Sequence, residues 1–173
     1  MTNKDLGPAM LPIDQSTFPH MLSLDTMVWR AFLQGDHPKI TKVWYDVKVG
    51  KPIDTPPNAS PSLLAIAEGT GAKRIDVVAL VGNTLWIIEL KPYANHAALG
   101  QVILYRTLFR QKYGTKTPTL ATIICDHADE DVVAIAATMD IQIIETTQWI
   151  FFPETPSMVE PGPIQIGSSV DVD

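Results

Sequence analysis

Residues 74–91 read RIDVVALVGNTLWIIELK, and this stretch decides the fold of the chain. It consists of two apolar, largely β-branched runs that are separated only by Gly82 and Asn83. A two-residue loop of glycine and asparagine between such runs is typical of a tight β-hairpin, because both residues adopt positive φ angles easily. The sequence therefore predicts two adjacent antiparallel strands in which Val81 faces Thr84.

The predicted register brings four charged residues together at the open end of the hairpin. It places Asp76 opposite Glu89 and Arg74 opposite Lys91, all on one face. Opposed side chains hold their Cβ atoms about 4.5 to 5.5 Å apart, where two carboxylates repel by roughly 3 kcal/mol at an effective dielectric constant near 20. A hard cation such as Mg²⁺ removes this repulsion and is typical of phosphate chemistry. Two interpretations remain open: a metal site, or a tetrad of two acids and two bases that neutralise one another.

Hydrophobic periodicity and capping residues predict further elements on both sides of the hairpin. For the first helix, Ser23 is a candidate N-cap and Gly35 a stop. For a later helix, Asn95 is the candidate N-cap and Gly114 the stop. The predicted elements are a helix over 21–34, a strand over 42–49, a helical piece over 62–69, strands over 74–81 and 84–90, a helix over 96–113, a strand over 119–125, a helix opened by 129–131, a strand over 141–144 and an edge segment over 149–152. This order predicts an α/β fold with a mixed central sheet flanked by helices.

Length and composition favour one domain with proline-containing ends. The chain has 173 residues, of which 46% are apolar, and its only cysteine is Cys125. We expect an extended arm over 1–20, a single domain over 21–152 and a Pro-rich acidic tail over 153–173. Because no cationic-then-apolar leader and no apolar run near 18 residues is visible, we also expect a cytoplasmic protein without a membrane partner.

The formal charge of −6 conceals an uneven distribution along the chain. Residues 72–116 contain seven Lys or Arg against two acids, whereas residues 117–173 contain ten acids and no base. Because salt screens exposed charges beyond about 8 to 10 Å, a ligand on the middle segment would experience its local positive charge. The segment therefore fits a nucleic-acid partner, although a solvated cationic helix face balanced by an acidic tail explains the charges equally well.

Asp76, the sequence Glu89-Leu90-Lys91, and the pair Gln101 and Tyr105 together resemble the PD-(D/E)xK nuclease superfamily, in its RecB-like QxxxY branch. The resemblance covers about residues 21–145. It implies a restriction-endonuclease-like core with the order αβββαβ, which is similar to the order predicted above.

The resemblance also implies a role for each matching residue. Asp76 and Glu89 would ligate Mg²⁺ or Mn²⁺, with the backbone carbonyl of Leu90 as a further ligand. Lys91 would orient or activate the attacking water and stabilise charge on the phosphorane, and Gln101 would hold the water or the scissile phosphate. Phosphodiester cleavage requires these same elements on chemical grounds, namely metal-bound water, charge neutralisation and a positioned cation.

The chain departs from the family pattern at two positions. Ile75 stands where the name-giving proline would be. The family often carries an acid on the first helix, and the candidate here is Asp25, which as a residue of the first helical turn could equally compensate the helix dipole. Contacts with DNA are expected from residues around the motif, namely Lys73, Arg74, Tyr105, Arg106 and Arg110.

The leading hypothesis is a metal-dependent deoxyribonuclease in a bacterial or phage-infected cell. The alternative is a nuclease-fold module without catalysis, serving as a structural or assembly component of a larger complex such as a phage particle. In that case the Pro-rich arms would bind other chains or further copies in a homo-oligomer. A nucleotide-binding α/β domain is the weaker third hypothesis, because the glycine-rich GTGAK at 69–73 precedes a strand instead of following one.

Overall fold

The sheet and helices follow the predicted order, with each strand a little longer than the sequence pattern indicates. The computed structural model describes residues 6–50, 55–70 and 73–146. In chain order the elements are α1 (Ser23–Gln34), β1 (Ile40–Val49), α2 (Pro61–Thr70), β2 (Lys73–Val81), β3 (Thr84–Ala94), α3 (His96–Tyr113), β4 (Thr119–Ala128), α4 (Glu130–Thr138) and β5 (Ile141–Glu145). The strands form one five-stranded sheet in the order β1-β2-β3-β4-β5.

The sheet is mixed. Strands β1, β2 and β3 pair antiparallel, whereas β3, β4 and β5 pair parallel through the crossover helices α3 and α4. This arrangement confirms the predicted α/β class, with a mixed sheet, flanking helices and the element order αβββαβ.

The hairpin register is the predicted one over the paired residues, but the ladder ends before the predicted pairing of Arg74 with Lys91. Val81 pairs with Thr84 across a loop in which Gly82 adopts a φ of +56°, and pairing continues as far as Val77 with Ile88. The next position in this register is that of Asp76 and Glu89. The two acids therefore lie where the ladder between β2 and β3 ends.

Both faces of the sheet are covered, as the apolar strands predict. On one face, Trp29 of α1 packs into a cluster with Val77 and Ile88. On the other face, Phe109 of α3 packs with Ile87. Because side chains alternate along a strand, neighbouring residues of β3 serve the two separate cores.

The helix caps agree with the sequence for α3 and differ for α1. Asn95 caps α3 by accepting a hydrogen bond from the amide of Ala97 at 2.9 Å, and Gly114 ends the helix in the left-handed conformation. The prediction of Ser23 as a cap was wrong: Leu22 is the N-cap, and it makes no side-chain capping bond. Ser23 is already helical, and a hydroxyl caps a helix from the extended residue that precedes it.

The N-terminal arm runs along the exposed edge of β1. Met10 exchanges two backbone hydrogen bonds with Val43, at 2.8 and 2.9 Å, and the indole Nε1 of Trp44 donates to the carbonyl of Gly7 at 3.0 Å. The arm thus covers part of an open sheet edge. The predicted edge segment over 149–152 and the tail over 153–173 lie outside the described residues.

Within the described part of the chain, no helix combines the length and the apolar character needed to span a bilayer.

Candidate active site

The candidate site begins where β2 and β3 separate. In a continued ladder Leu90 would face Ile75, but its backbone amide donates instead to the Asp76 carboxylate, Oδ2, at 2.9 Å. Since the amide and the carbonyl of one strand residue point to the same edge, the Leu90 carbonyl lies on the edge of β3 that faces Asp76. The end of the hairpin therefore directs a carboxylate and a main-chain oxygen to the same place.

Glu89 lies beside this point, almost fully buried. Its side chain is 3% exposed, and Lys91 Nζ donates to Glu89 Oε1 at 2.7 Å. The two residues are two apart on β3 and so share a face of the sheet. The other carboxylate oxygen, Glu89 Oε2, is buried and has no hydrogen-bond partner. An unsatisfied buried carboxylate oxygen is unfavourable, so this position is suited to a proton, a water or a cation.

The pKa values of both acids are raised. Burial raises the pKa of Asp76 to about 6, against the opposing effect of the Leu90 amide. Burial, together with the negative charge of Asp76, raises the pKa of Glu89 to about 7. Burial alone would lower the pKa of Lys91, but the surrounding carboxylates outweigh it and hold that pKa above its ordinary value. Lys91 is therefore a cation at neutral pH, whereas the two acids are held as anions only with difficulty.

A cavity of about 250 Å³ joins these residues to both layers of helices. Asp25 of α1 lines it, is only 8% exposed, and has a pKa that burial raises against the positive charge of Lys91. The cavity is lined by Pro19, His20, Met21, Leu22, Asp25, Asp46, Arg74, Asp76, Glu89, Lys91, Gln101 and Tyr105. Four acids thus line the cavity, and three of them, Asp25, Asp76 and Glu89, stabilise the positive charge of Lys91.

Gln101 and Tyr105 line the same cavity from α3. They are four residues apart, which places them on one face of the helix. Burial, and then the negative charge of Glu89, raises the pKa of Tyr105. The structure therefore brings the predicted glutamine and tyrosine up to the buried carboxylates.

Asp46 is a cavity residue that the sequence analysis missed. It lies on β1 at the position opposite Asp76, since its neighbours Tyr45 and Val47 pair with Val77 and Ile75 in turn. Its φ of +54° is uncommon inside a strand and is tolerated best by Asn, Asp and Gly. In the sequence Asp46 lies in the polar phase of an alternating strand, so nothing distinguishes it there from a surface residue.

Asp46 forms an ion pair with Arg74 and lies 3.8 Å from His20 Nε2. The predicted tetrad of Arg74, Asp76, Glu89 and Lys91 is therefore part of a larger charged cluster. Arg74 is held by an acid of the neighbouring strand, and Lys91 is held by Glu89.

The residues predicted to contact DNA are distributed differently. Arg74 and Tyr105 line the cavity. The guanidinium of Arg106 donates to the carbonyl of Asp140 at 3.1 Å, just beyond α4, and lies outside the cavity lining. Lys73 and Arg110 are exposed and also lie outside it.

A divalent cation fits the donor set only with ligands from outside the chain. Among the described residues, no three His, Cys, Asp or Glu side chains form a ready metal-binding group. Mg²⁺, however, commonly uses one or two carboxylates and completes its shell with waters and substrate oxygens. Asp76, Glu89 and the Leu90 carbonyl are such hard donors, and Glu89 Oε2 is buried without a hydrogen-bond partner.

The candidate site is thus an acidic cavity, partly open to solvent, with a fixed lysine at the point where a hairpin opens, and Gln101 and Tyr105 line it from α3. Compared with protein-family models, curated proteins and solved structures, the chain gives no match in any of the three.

Proposed function

We propose that this chain is a metal-dependent nuclease of the PD-(D/E)xK superfamily that hydrolyses phosphodiester bonds in DNA. The observation that carries the proposal is the buried Glu89 and the half-buried Asp76 beside Lys91, with Glu89 Oε2 left without a partner. Two carboxylates of raised pKa are costly to the fold, and a cation-dependent reaction gives a reason for keeping them.

The first proposed role of the cavity residues is to bind the metal ion. Asp76, Glu89 and the Leu90 carbonyl would hold Mg²⁺ or Mn²⁺, which would supply charge neutralisation and a water of lowered pKa. Asp25 supports the same site as a further acid from α1. Its burial in the cavity favours this role over compensation of the helix dipole.

Lys91 acts as a fixed cation. Because its pKa is raised, it carries a proton at neutral pH and so stabilises negative charge on the phosphate instead of removing a proton. Its bond to Glu89 fixes the ammonium group before substrate arrives. Preorganisation of this kind is what makes an electrostatic contribution effective in a buried site.

Gln101 can hold either the water or the scissile phosphate, because its amide both donates and accepts hydrogen bonds. Tyr105, one helical turn further along α3, lines the cavity beside it.

The positive charges near the cavity favour a polyanionic substrate. Lys48 pairs in register with Arg74, and Lys73 pairs with Val49, so three bases lie at one end of β1 and β2. Phosphate contacts from such residues supply much of the affinity of DNA-binding proteins.

Incubation with supercoiled plasmid and with linear DNA, in Mg²⁺ or Mn²⁺, tests the proposal. The unmutated protein should cut DNA, and Glu89→Ala and Lys91→Ala should not. Glu130→Gln and Lys39→Ala, which alter exposed residues outside the cavity, should cut normally. Absence of metal-dependent cleavage by the unmutated protein would overturn the proposal.

The second candidate function is that of an assembly component without catalysis. Its support is the apolar surface of the arm and of α2, where Leu11 is 64%, Ile13 is 55% and Ile66 is 58% exposed. Exposed apolar patches often mark contacts with other chains. Size-exclusion chromatography with light scattering should then show an oligomer that Leu11→Ser/Ile13→Ser dissociates, and a monomer would count against this function.

A further inference from the structure

A second cavity, of about 380 Å³, adjoins the candidate active site. It lies between the N-terminal arm, β1 and the end of α3. Its lining residues are Leu6, Pro8, Met10, Pro19, Trp44, Tyr45, Asp46, Val47, Lys48, Lys112 and Tyr113. We call it the arm groove. Because Pro19 and Asp46 line both the arm groove and the active-site cavity, the two cavities are adjacent.

Aromatic and cationic side chains are held in place around the arm groove. Lys112 Nζ donates to the carbonyl of Lys48 at 2.7 Å, and the hydroxyl of Tyr113 donates to the same carbonyl at 3.1 Å. Lys112 Nζ also lies 5.4 Å from the centre of the Tyr113 ring. The Trp44 indole is fixed by its bond to Gly7. Lys112, Tyr113 and Trp44 are therefore preorganised and half-buried.

The charge of the arm groove is positive. Its lysines are Lys48 and Lys112, and Asp46 is the one acid among the lining residues that the structure describes. Asp46 is already ion-paired with Arg74. An anionic ligand in the groove would therefore meet two lysines and a neutralised carboxylate.

We propose that the arm groove binds a single-stranded DNA segment, with a neighbouring phosphodiester lying in the active-site cavity. The inference rests on the proposed nuclease function and deepens it by naming the substrate class. Bases stack on aromatic side chains such as Trp44, while lysines contact the phosphates, which is how single strands are bound without sequence preference. Pro19 and Asp46 border both cavities, so a strand that passes over these two residues would run from the stacked base to the carboxylates.

A duplex fits the arm groove less well. Paired bases are stacked on their own neighbours and cannot also stack on Trp44. The arm, held to β1 by the Met10–Val43 pair, walls one side of the groove. An unpaired strand, or the frayed end of a duplex, has bases that are free to stack on Trp44 and can lie beside the arm.

Binding is measured without cleavage, by fluorescence anisotropy of a labelled 12-nucleotide single strand in the presence of EDTA. Lys112→Ala should weaken binding and reduce the slope of log affinity against log salt by about 0.7. Trp44→Leu should weaken binding roughly tenfold, whereas Trp44→Phe, which keeps a ring, should retain most of the affinity. Lys39→Ala removes the same charge near the opposite end of β1 and is the matched control, expected to bind normally.

Three results would overturn the inference: no binding of the single strand, equal binding of a 12-base-pair duplex, or unchanged binding by both Lys112→Ala and Trp44→Leu. Circular dichroism and thermal unfolding identify any variant that fails to fold, and the surface substitution Lys112→Ala keeps the test decisive if Trp44→Leu does so. Binding lost in these variants without any DNA cleavage would support the groove and contradict the nuclease. DNA cleavage that is unaffected by these substitutions would support the nuclease and contradict the role of the groove.

Discussion

The Asp76 carboxylate accepts a hydrogen bond from the backbone amide of Leu90 at 2.9 Å, one position beyond the last pair of the hairpin ladder. The Leu90 amide thus bonds to a side chain of β2 and not to the backbone of β2. Asp76 therefore has a structural part, satisfying the Leu90 amide, as well as the proposed metal-binding part.

Two substitutions separate these parts. Asp76→Asn keeps an oxygen acceptor for the Leu90 amide and should fold normally while losing metal binding. Asp76→Ala leaves a buried amide without a partner and should lower the free energy of unfolding by about 1 to 3 kcal/mol relative to Asp76→Asn. Urea unfolding of both variants in EDTA measures the difference, and equal stability would contradict the structural part.

The raised pKa values of Asp76 and Glu89 predict how stability depends on pH without metal. The folded state holds protons on these acids up to about pH 6 and 7, whereas the unfolded state releases them near pH 4. Because the folded state binds more protons in this window, these groups make the protein less stable as pH rises from about 4 to 7. In thermal unfolding with EDTA, Glu89→Gln should lose less stability than the unmutated protein as pH rises from about 4 to 7. Parallel curves of stability against pH for the two proteins would contradict the raised pKa of Glu89.

Divalent cations should reverse that destabilisation. Mn²⁺ at about 100 times its dissociation constant should raise the free energy of unfolding by about 2.7 kcal/mol, and Glu89→Gln and Asp76→Asn should abolish the effect. Because protons compete for the same oxygens, metal affinity should rise with pH between about 5 and 8. Isothermal titration calorimetry measures this, with Glu130→Gln as the control. Metal affinity that does not change in Asp76→Asn would exclude this metal site.

Asp46 tests the contribution of β1, which lines the cavity beside β2 and β3. Asp46→Asn tolerates the φ of +54° but loses the ion pair with Arg74, so it should keep its stability and cleave DNA more slowly. Asp46→Val places a β-branched residue in the left-handed region and should destabilise the fold by about 1 to 2 kcal/mol. Chemical unfolding and cleavage rates distinguish the two effects. Full activity in Asp46→Asn would show that the ion pair does not position Arg74 for the reaction.

Features determined by local sequence could be predicted. The Gly82-Asn83 loop defines the hairpin register, and Asn95 and Gly114 mark both ends of α3. From that register alone, Asp76 and Glu89 could be placed together at the end of the hairpin.

Features that depend on long-range packing could not be predicted. The burial of Asp25 depends on how α1 lies against β3, and the left-handed Asp46 depends on its pairing environment in β1. The arm groove exists only because Met10 pairs with Val43, a contact that no local pattern indicates.

The most direct test of the central claim is the rate of DNA cleavage by Glu89→Gln and by Glu145→Gln in the same Mn²⁺ titration. Glu145 is a partly exposed carboxylate on β5, outside the cavity, and it accepts a hydrogen bond from the Ala128 amide. The proposed site predicts Mn²⁺-dependent cleavage by the unmutated protein and by Glu145→Gln, and a loss of about 100-fold or more in Glu89→Gln. Cleavage by Glu89→Gln at the unmutated rate would contradict the claim that this cavity is the catalytic centre.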